Sequence, residues 1–139
     1  MVQLLTIILS ILKRISSVKS KTATRYFSSK QEKHVAKVIG GKQVANSGAT
    51  MFSKGDCSND NWLIECKTKT SPSQSMSIKR EWLEKNEEEA FAMRKEHSAL
   101  AFNFGDIRNV QNYYIISEQE FLRFLKLEEQ YETNTNEQY

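Results

Sequence analysis

The chain has 139 residues, the length of one domain with a modest core. Its 39% hydrophobic and 27% charged residues, with a single proline, are those of a globular protein and exclude collagen-like, low-complexity and disulfide-scaffold classes. A net charge of +3 is too small to announce a nucleic-acid partner, and two cysteines, Cys57 and Cys66, form neither CxxC nor Cys/His zinc spacing. Reduced thiols in a cytoplasm are the expectation. The charge is unevenly placed. No acid precedes Glu32, whereas Lys13, Arg14, Lys19, Lys21, Arg25 and Lys30 do, and the far end carries Glu118, Glu120, Glu128, Glu129, Glu132 and Glu137 against Arg123 and Lys126.

The apolar run from Val2 to Leu12 falls short of the roughly 20 residues that span a bilayer, so no membrane partner is expected. Lys13 and Arg14 follow that run, whereas a signal peptide places its charge before it. The acid-free, Arg/Ser-bearing arm also has the composition of a mitochondrial transit peptide. Residues 1–24 read as a basic, apolar-then-polar extension, amphipathic or poorly ordered, ahead of a folded unit at 25–131. A capping box, Ser29-x-x-Glu32, predicts a helix start, with Val35, Val38 and Ile39 as its apolar stripe and Gly40-Gly41 as its stop. "KQVANSGATMF" reads as a short strand entering a glycine-bearing loop. A hairpin follows: Lys54–Cys57, the turn "SNDN", then Trp62–Thr70.

Beyond the loop "SPSQS", the stretch from Ser77 to His97 reads as one long helix, or two, capped by Ser77, with Ile78, Trp82, Ala90 and Met93 inward. "SALAFNFG" is a nearly continuous apolar run, expected as a central strand. After the turn "GDIRN", Val110–Ile116 is a further strand. Ser117-x-x-Glu120 opens a last helix carrying Phe121, Leu122, Phe124 and Leu125, before a polar acidic tail at 132–139 expected to be disordered. The order is helix, three strands, helix, two strands, helix. A single α/β domain with a central mixed sheet flanked by helices satisfies it.

The chemistry centres on "KGDCSNDNWLIECKTK", residues 54–69. Side chains alternate along a strand, so Leu63, Glu65 and Lys67 share one face while Trp62, Ile64 and Cys66 take the other, the core face. If the hairpin sets Asp56 beside Glu65, two carboxylates converge with a lysine adjacent. Two such anions ~4 Å apart repel by roughly 4 kcal/mol at an effective dielectric of 20. A hard divalent cation offsets this, with the Cys66 backbone carbonyl as a further oxygen. Such an ion polarises a phosphoryl oxygen and acidifies a bound water, which Lys67 can orient. The plainer alternative is an exposed Glu–Lys ion pair worth about 0–1 kcal/mol.

These residues resemble the PD-(D/E)xK nuclease superfamily, and within it the phage and archaeal Holliday-junction resolvase branch. The likeness runs from about Arg25 to Ile116. It rests on Glu32 in "KQEKHVAKVIGG", on the "NSGA" loop at 46–49, on Asp56, and on "IECKTK" with Glu65 and Lys67. Gly55 stands where the motif has proline. The resemblance implies a restriction-endonuclease-like fold and a Mg2+ site, with Mn2+ as substitute, at Asp56 and Glu65. It implies that Lys67 assists the attacking water, that Glu32 completes the acidic site, directly or through water, and that a homodimer nicks four-way DNA junctions. Ser47, Gly48, Lys54, Lys69, Lys79 and Arg80 are the candidate phosphate contacts. Two other readings stand: a repair or restriction-type nuclease on other duplex DNA, and a structural DNA-binding protein whose acidic cluster is inert.

Overall fold

No glycine or proline precedes Gly40, so no residue before it carries a strong intrinsic cost in a helix. In the computed structural model, which describes residues 2–45, 55–106, 108 and 110–136, helix α1 runs unbroken from Val2 to Val38. The expected boundary near residue 24 is therefore absent. The capping box at Ser29–Glu32 does not form either, because both residues lie inside the helix. Capping matters only where a helix would otherwise begin, and here tolerable residues extend it well past that point. The predicted stop is right. Gly40 takes φ +61, Gly40 N–H donates to the Lys37 carbonyl at 3.2 Å, and Gly41 N–H donates to that of Ala36 at 2.8 Å. This is a Schellman ending, which satisfies carbonyls the helix would leave orphaned.

Five strands follow in one mixed sheet, ordered β1 (Lys42–Gln43), β2 (Cys57–Ser58), β3 (Trp62–Thr68), β4 (His97–Asn103) and β5 (Tyr113–Ile115). β1–β2, β2–β3 and β4–β5 are antiparallel, and β3–β4 are parallel. A parallel pair needs a crossover, and α2 (Arg80–Ala92) supplies it, while α3 (Glu118–Asn136) closes the chain. This is the single α/β domain, in the element order, that the sequence predicts.

The sheet is covered on both faces. On one, Val35 and Ala36 of α1 pack with Cys57, Ile64, Ala99 and Ala101. On the other, Leu63 and Leu100 are fully buried beneath α2, which contributes Ala90. Leu63 thus shows that the Glu65 face is covered too, not open to water as an exposed ion pair would require. Far from the sheet, the apolar residues of α1 from Leu4 to Leu12 are exposed.

Three further helix ends differ from expectation, one of them the end of α2, which stops at Ala92 and leaves His97 to open β4. α2 starts at Arg80, with Lys79 in the N-cap position and no side-chain cap, so Ser77 caps nothing. α3 does begin at Ser117, whose hydroxyl accepts from Glu120 N–H at 3.2 Å. It continues through the first part of the expected disordered tail to Asn136. Glu, Gln and Leu hold the helix as far as Glu132, and the Thr133 and Thr135 hydroxyls then donate back to the carbonyls of Glu129 and Tyr131.

Candidate functional site

The site begins at a glycine. Gly55 has φ +71, and a side chain there would stand 2.6 Å from Leu63. Proline, locked near φ −65°, cannot occupy this position, which accounts for the departure from the nuclease motif. Asp56 N–H then donates to the Ile64 carbonyl at 2.9 Å, although the register already pairs Cys57 with Ile64. Two residues against one is the count of a β-bulge, a device that re-aims a side chain. Here it turns the Asp56 carboxylate along β3, where Oδ2 accepts the Cys66 N–H at 2.7 Å. Amide and carbonyl of one strand residue point to the same edge, so the Cys66 carbonyl also faces Asp56.

Burial, above all, raises the Asp56 pKa from its ordinary 3.8 to about 6. The charge of Glu65 adds to this and that of Glu32 contributes less, while the Cys66 amide and Lys67 oppose it. Asp56 is thus a half-buried carboxylate whose ionisation the charge of Glu65 opposes. The hard oxygen donors of such a pair fit a divalent cation. Glu65 is already answered, since its Oε1 lies 2.5 Å from Lys67 Nζ. The Lys67 ammonium also sits 4.8 Å from the centre of the Trp82 ring, a cation–π distance.

Glu32 approaches from α1. Its carboxylate accepts Gln43 Nε2 at 3.0 Å and its carbonyl accepts the Cys57 thiol at 3.1 Å. It acts on Asp56 through charge without joining a closed ligand set. Among the described residues, no three of His, Cys, Asp and Glu group closely enough to hold an ion by themselves. The Cys57 thiol and burial push the Cys66 thiol well above the usual thiol range, so it stays a neutral core group.

The other wall of the site belongs to α2. Glu65 and Lys67 line a cleft of about 360 Å³ with Glu81, Trp82, Lys85, Asn86 and Glu89. Sequence reasoning missed Asn86 and Glu89, both buried. The available signal was two polar residues three apart on the helical stripe that also carries Trp82, Ala90 and Met93.

The candidate DNA contacts fare unevenly. Ser47, Gly48 and Lys54 lie outside the described residues. Lys69 is half-buried just beyond β3. Lys79 and Arg80 are paired with acids of α2 itself, Lys79 with Glu81 at 3.6 Å and Arg80 with Glu84 at 2.6 Å. Their positive charge is therefore largely offset where a phosphate would need it. Lys37, exposed on α1, has no acid within four residues of it in sequence. His97 bonds Glu120 at 2.5 Å and lies against Trp62 at 4.8 Å.

Among the described residues no helix is long and apolar enough to cross a membrane. No family model, curated protein or solved structure matches this chain.

Proposed function

We propose that this chain is a Mg2+-dependent endodeoxyribonuclease of the cytoplasm that cuts branched DNA, with four-way junctions as substrate, and works as a homodimer. The observation that carries the reading is the bulge-aimed Asp56 carboxylate, its pKa lifted to about 6 chiefly by burial and by Glu65. An acid shifted by burial and by the charge of a second acid is a candidate functional group.

Asp56 and Glu65, with the Cys66 carbonyl, would hold Mg2+, which supplies Lewis acidity and an acidified water. The Cys66 amide fixes the rotamer of Asp56. Lys67, steered by Glu65 and the Trp82 ring, donates to an attacking water or to the phosphate as negative charge grows there. Glu32 acts at longer range by disfavouring proton loss from Asp56 until positive charge arrives. Exposed Phe121, Leu122, Leu125 and Leu127 on α3 support an association surface.

Cleavage of a labelled four-way junction and of linear duplex, each with Mg2+ or Mn2+, tests this. Junction cutting by the wild type, lost in Asp56→Asn, is expected. Equal cutting of both substrates would assign a general repair or restriction-type nuclease. The formed Glu65–Lys67 ion pair and the lack of a closed three-acid group among the described residues favour a second reading, an inert DNA-binding protein. Junction binding without any cutting would establish that one.

A further inference from the structure

Among the described residues, four buried side-chain atoms have no hydrogen-bond partner: Gln31 Oε1, Asn86 Oδ1, Glu89 Oε1 and Asn112 Nδ2. Two of these oxygens sit three residues apart on α2, and both residues line the cleft that Glu65 and Lys67 enter. Asn86 is 3% exposed and Glu89 4%. The Asn86 amide nitrogen donates to the Ala99 carbonyl at 3.0 Å and to that of Leu63 at 3.4 Å. Those bonds fix the amide plane and leave Oδ1 turned away from the sheet carbonyls, on a residue that lines the cleft.

Glu89 is the more demanding group. The nearest cation, Lys85 Nζ, stands 3.6 Å from Oε1, beyond hydrogen-bond reach, and the Lys85 side chain is 73% exposed. Glu65 across the cleft is held by Lys67, and Glu81 sits at the rim, largely in solvent. A buried carboxylate oxygen with no donor, an amide oxygen with no donor and a second carboxylate make an all-oxygen acceptor set. An anion cannot satisfy it, and water alone would leave the buried Glu89 carboxylate with only the exposed Lys85, 3.6 Å away, as counter-charge.

We propose that the β3–α2 cleft binds a hard divalent cation through Glu89 Oε1, Asn86 Oδ1 and the Glu65 carboxylate. Oxygen donors of this kind suit Mg2+, Mn2+ and Ca2+. The exposed Lys85 ammonium swings aside as the ion enters. Glu65 is then shared between this position and the pairing with Asp56; the role of the site rests on the nuclease reading, but its existence does not.

The chain contains two tryptophans, and Trp62 packs against Phe124 and His97 while Trp82 lines the cleft. Trp62→Phe therefore leaves a single indole beside the site. Paramagnetic Mn2+, added to the whole chain without DNA, is expected to quench Trp82 fluorescence saturably, with Mg2+ competing. In the same background, Glu89→Gln weakens that titration by at least about tenfold, a loss typical even of outer-shell partners. Lys85→Met, at an exposed position where folding is not at stake, tightens it by removing the competing ammonium. Asp56→Asn leaves it saturable.

Linear, collisional quenching in the wild-type cleft would overturn the proposal, as would a titration unchanged by both Glu89→Gln and Lys85→Met. Loss of quenching in Asp56→Asn alone would assign the ion to the hairpin and also overturn it. Absence of junction cutting by the wild type with intact Trp82 quenching would instead sink the nuclease reading and leave this site standing.

Discussion

The two faces of β3 are built from different materials. Towards α1, Ile64 and Cys66 meet Val35, Ala36 and Ile39 in an apolar layer. Towards α2, only Leu63 is given to packing, and the next two positions on that side are Glu65 and Lys67, opposite Trp82, Asn86 and Glu89. The first face is what the domain folds around. The second holds two buried oxygens without donors, Asn86 Oδ1 and Glu89 Oε1, where the α1 side holds one, Gln31 Oε1, and such oxygens are costly to bury. If the proposed function holds, mutations on the two sides of this one strand should fall into two classes.

The largest expected effect lies on the polar side. Asp56→Asn should lower junction cleavage by about a thousandfold or more, roughly 4 kcal/mol of barrier, as measured by single-turnover kinetics with Mg2+. The apolar side should answer with stability instead. Ile64→Ala removes a fully buried side chain and should cost roughly 3 kcal/mol in urea unfolding, while any cleavage activity of the folded fraction survives.

Asp56 also links the site to pH. Between its ordinary 3.8 and its folded value of about 6, the native chain keeps a proton that the unfolded chain has released. Stability therefore falls as pH rises through that window. About two pH units at about 1.4 kcal/mol each give a decline of roughly 3 kcal/mol at most. Urea midpoints measured across that range should show the decline in the wild type and a flatter profile in Asp56→Asn.

Gly55→Ala should cost about 2 kcal/mol, since it combines a positive φ with a clash against Leu63. It should also lower cleavage, because the bulge that aims Asp56 depends on that turn. Smallest is Lys67→Met. Its ion pair is about a quarter exposed, so the stability change should stay within about 1 kcal/mol while cleavage drops steeply. A large loss of stability here would merge the two classes and break the division.

Much of this was legible in the sequence. Strand alternation put Glu65 and Lys67 on one face, the polar "SNDN" turn set the hairpin, and Gly40-Gly41 marked the end of α1. What was not legible depends on context outside the local window. Ser29-x-x-Glu32 has the chemistry of a helix start, but a start exists only if the helix does not arrive from upstream. Its absence matters for function, because the capping explanation for Glu32 disappears. Ser77 failed for the reverse reason: a good cap residue is idle when the helix starts three residues later. Lys79 and Arg80 read as phosphate contacts because sequence shows their charge, whereas the acids that answer them become neighbours only once the helix is formed. Asn86 and Glu89 look like solvated surface until the sheet closes over them.

The length of α1 has a consequence of its own. At 1.5 Å per residue its 37 residues extend about 55 Å, yet burial against the sheet is confined to Gln31, Val35 and Ala36 among the residues placed there. Opening of the distal turns therefore costs the sheet nothing, and the helix can unwind from one end like a zip. Isotope exchange at backbone amides should record this as a gradient: rapid between residues 4 and 14, and close to the global unfolding limit between 31 and 38.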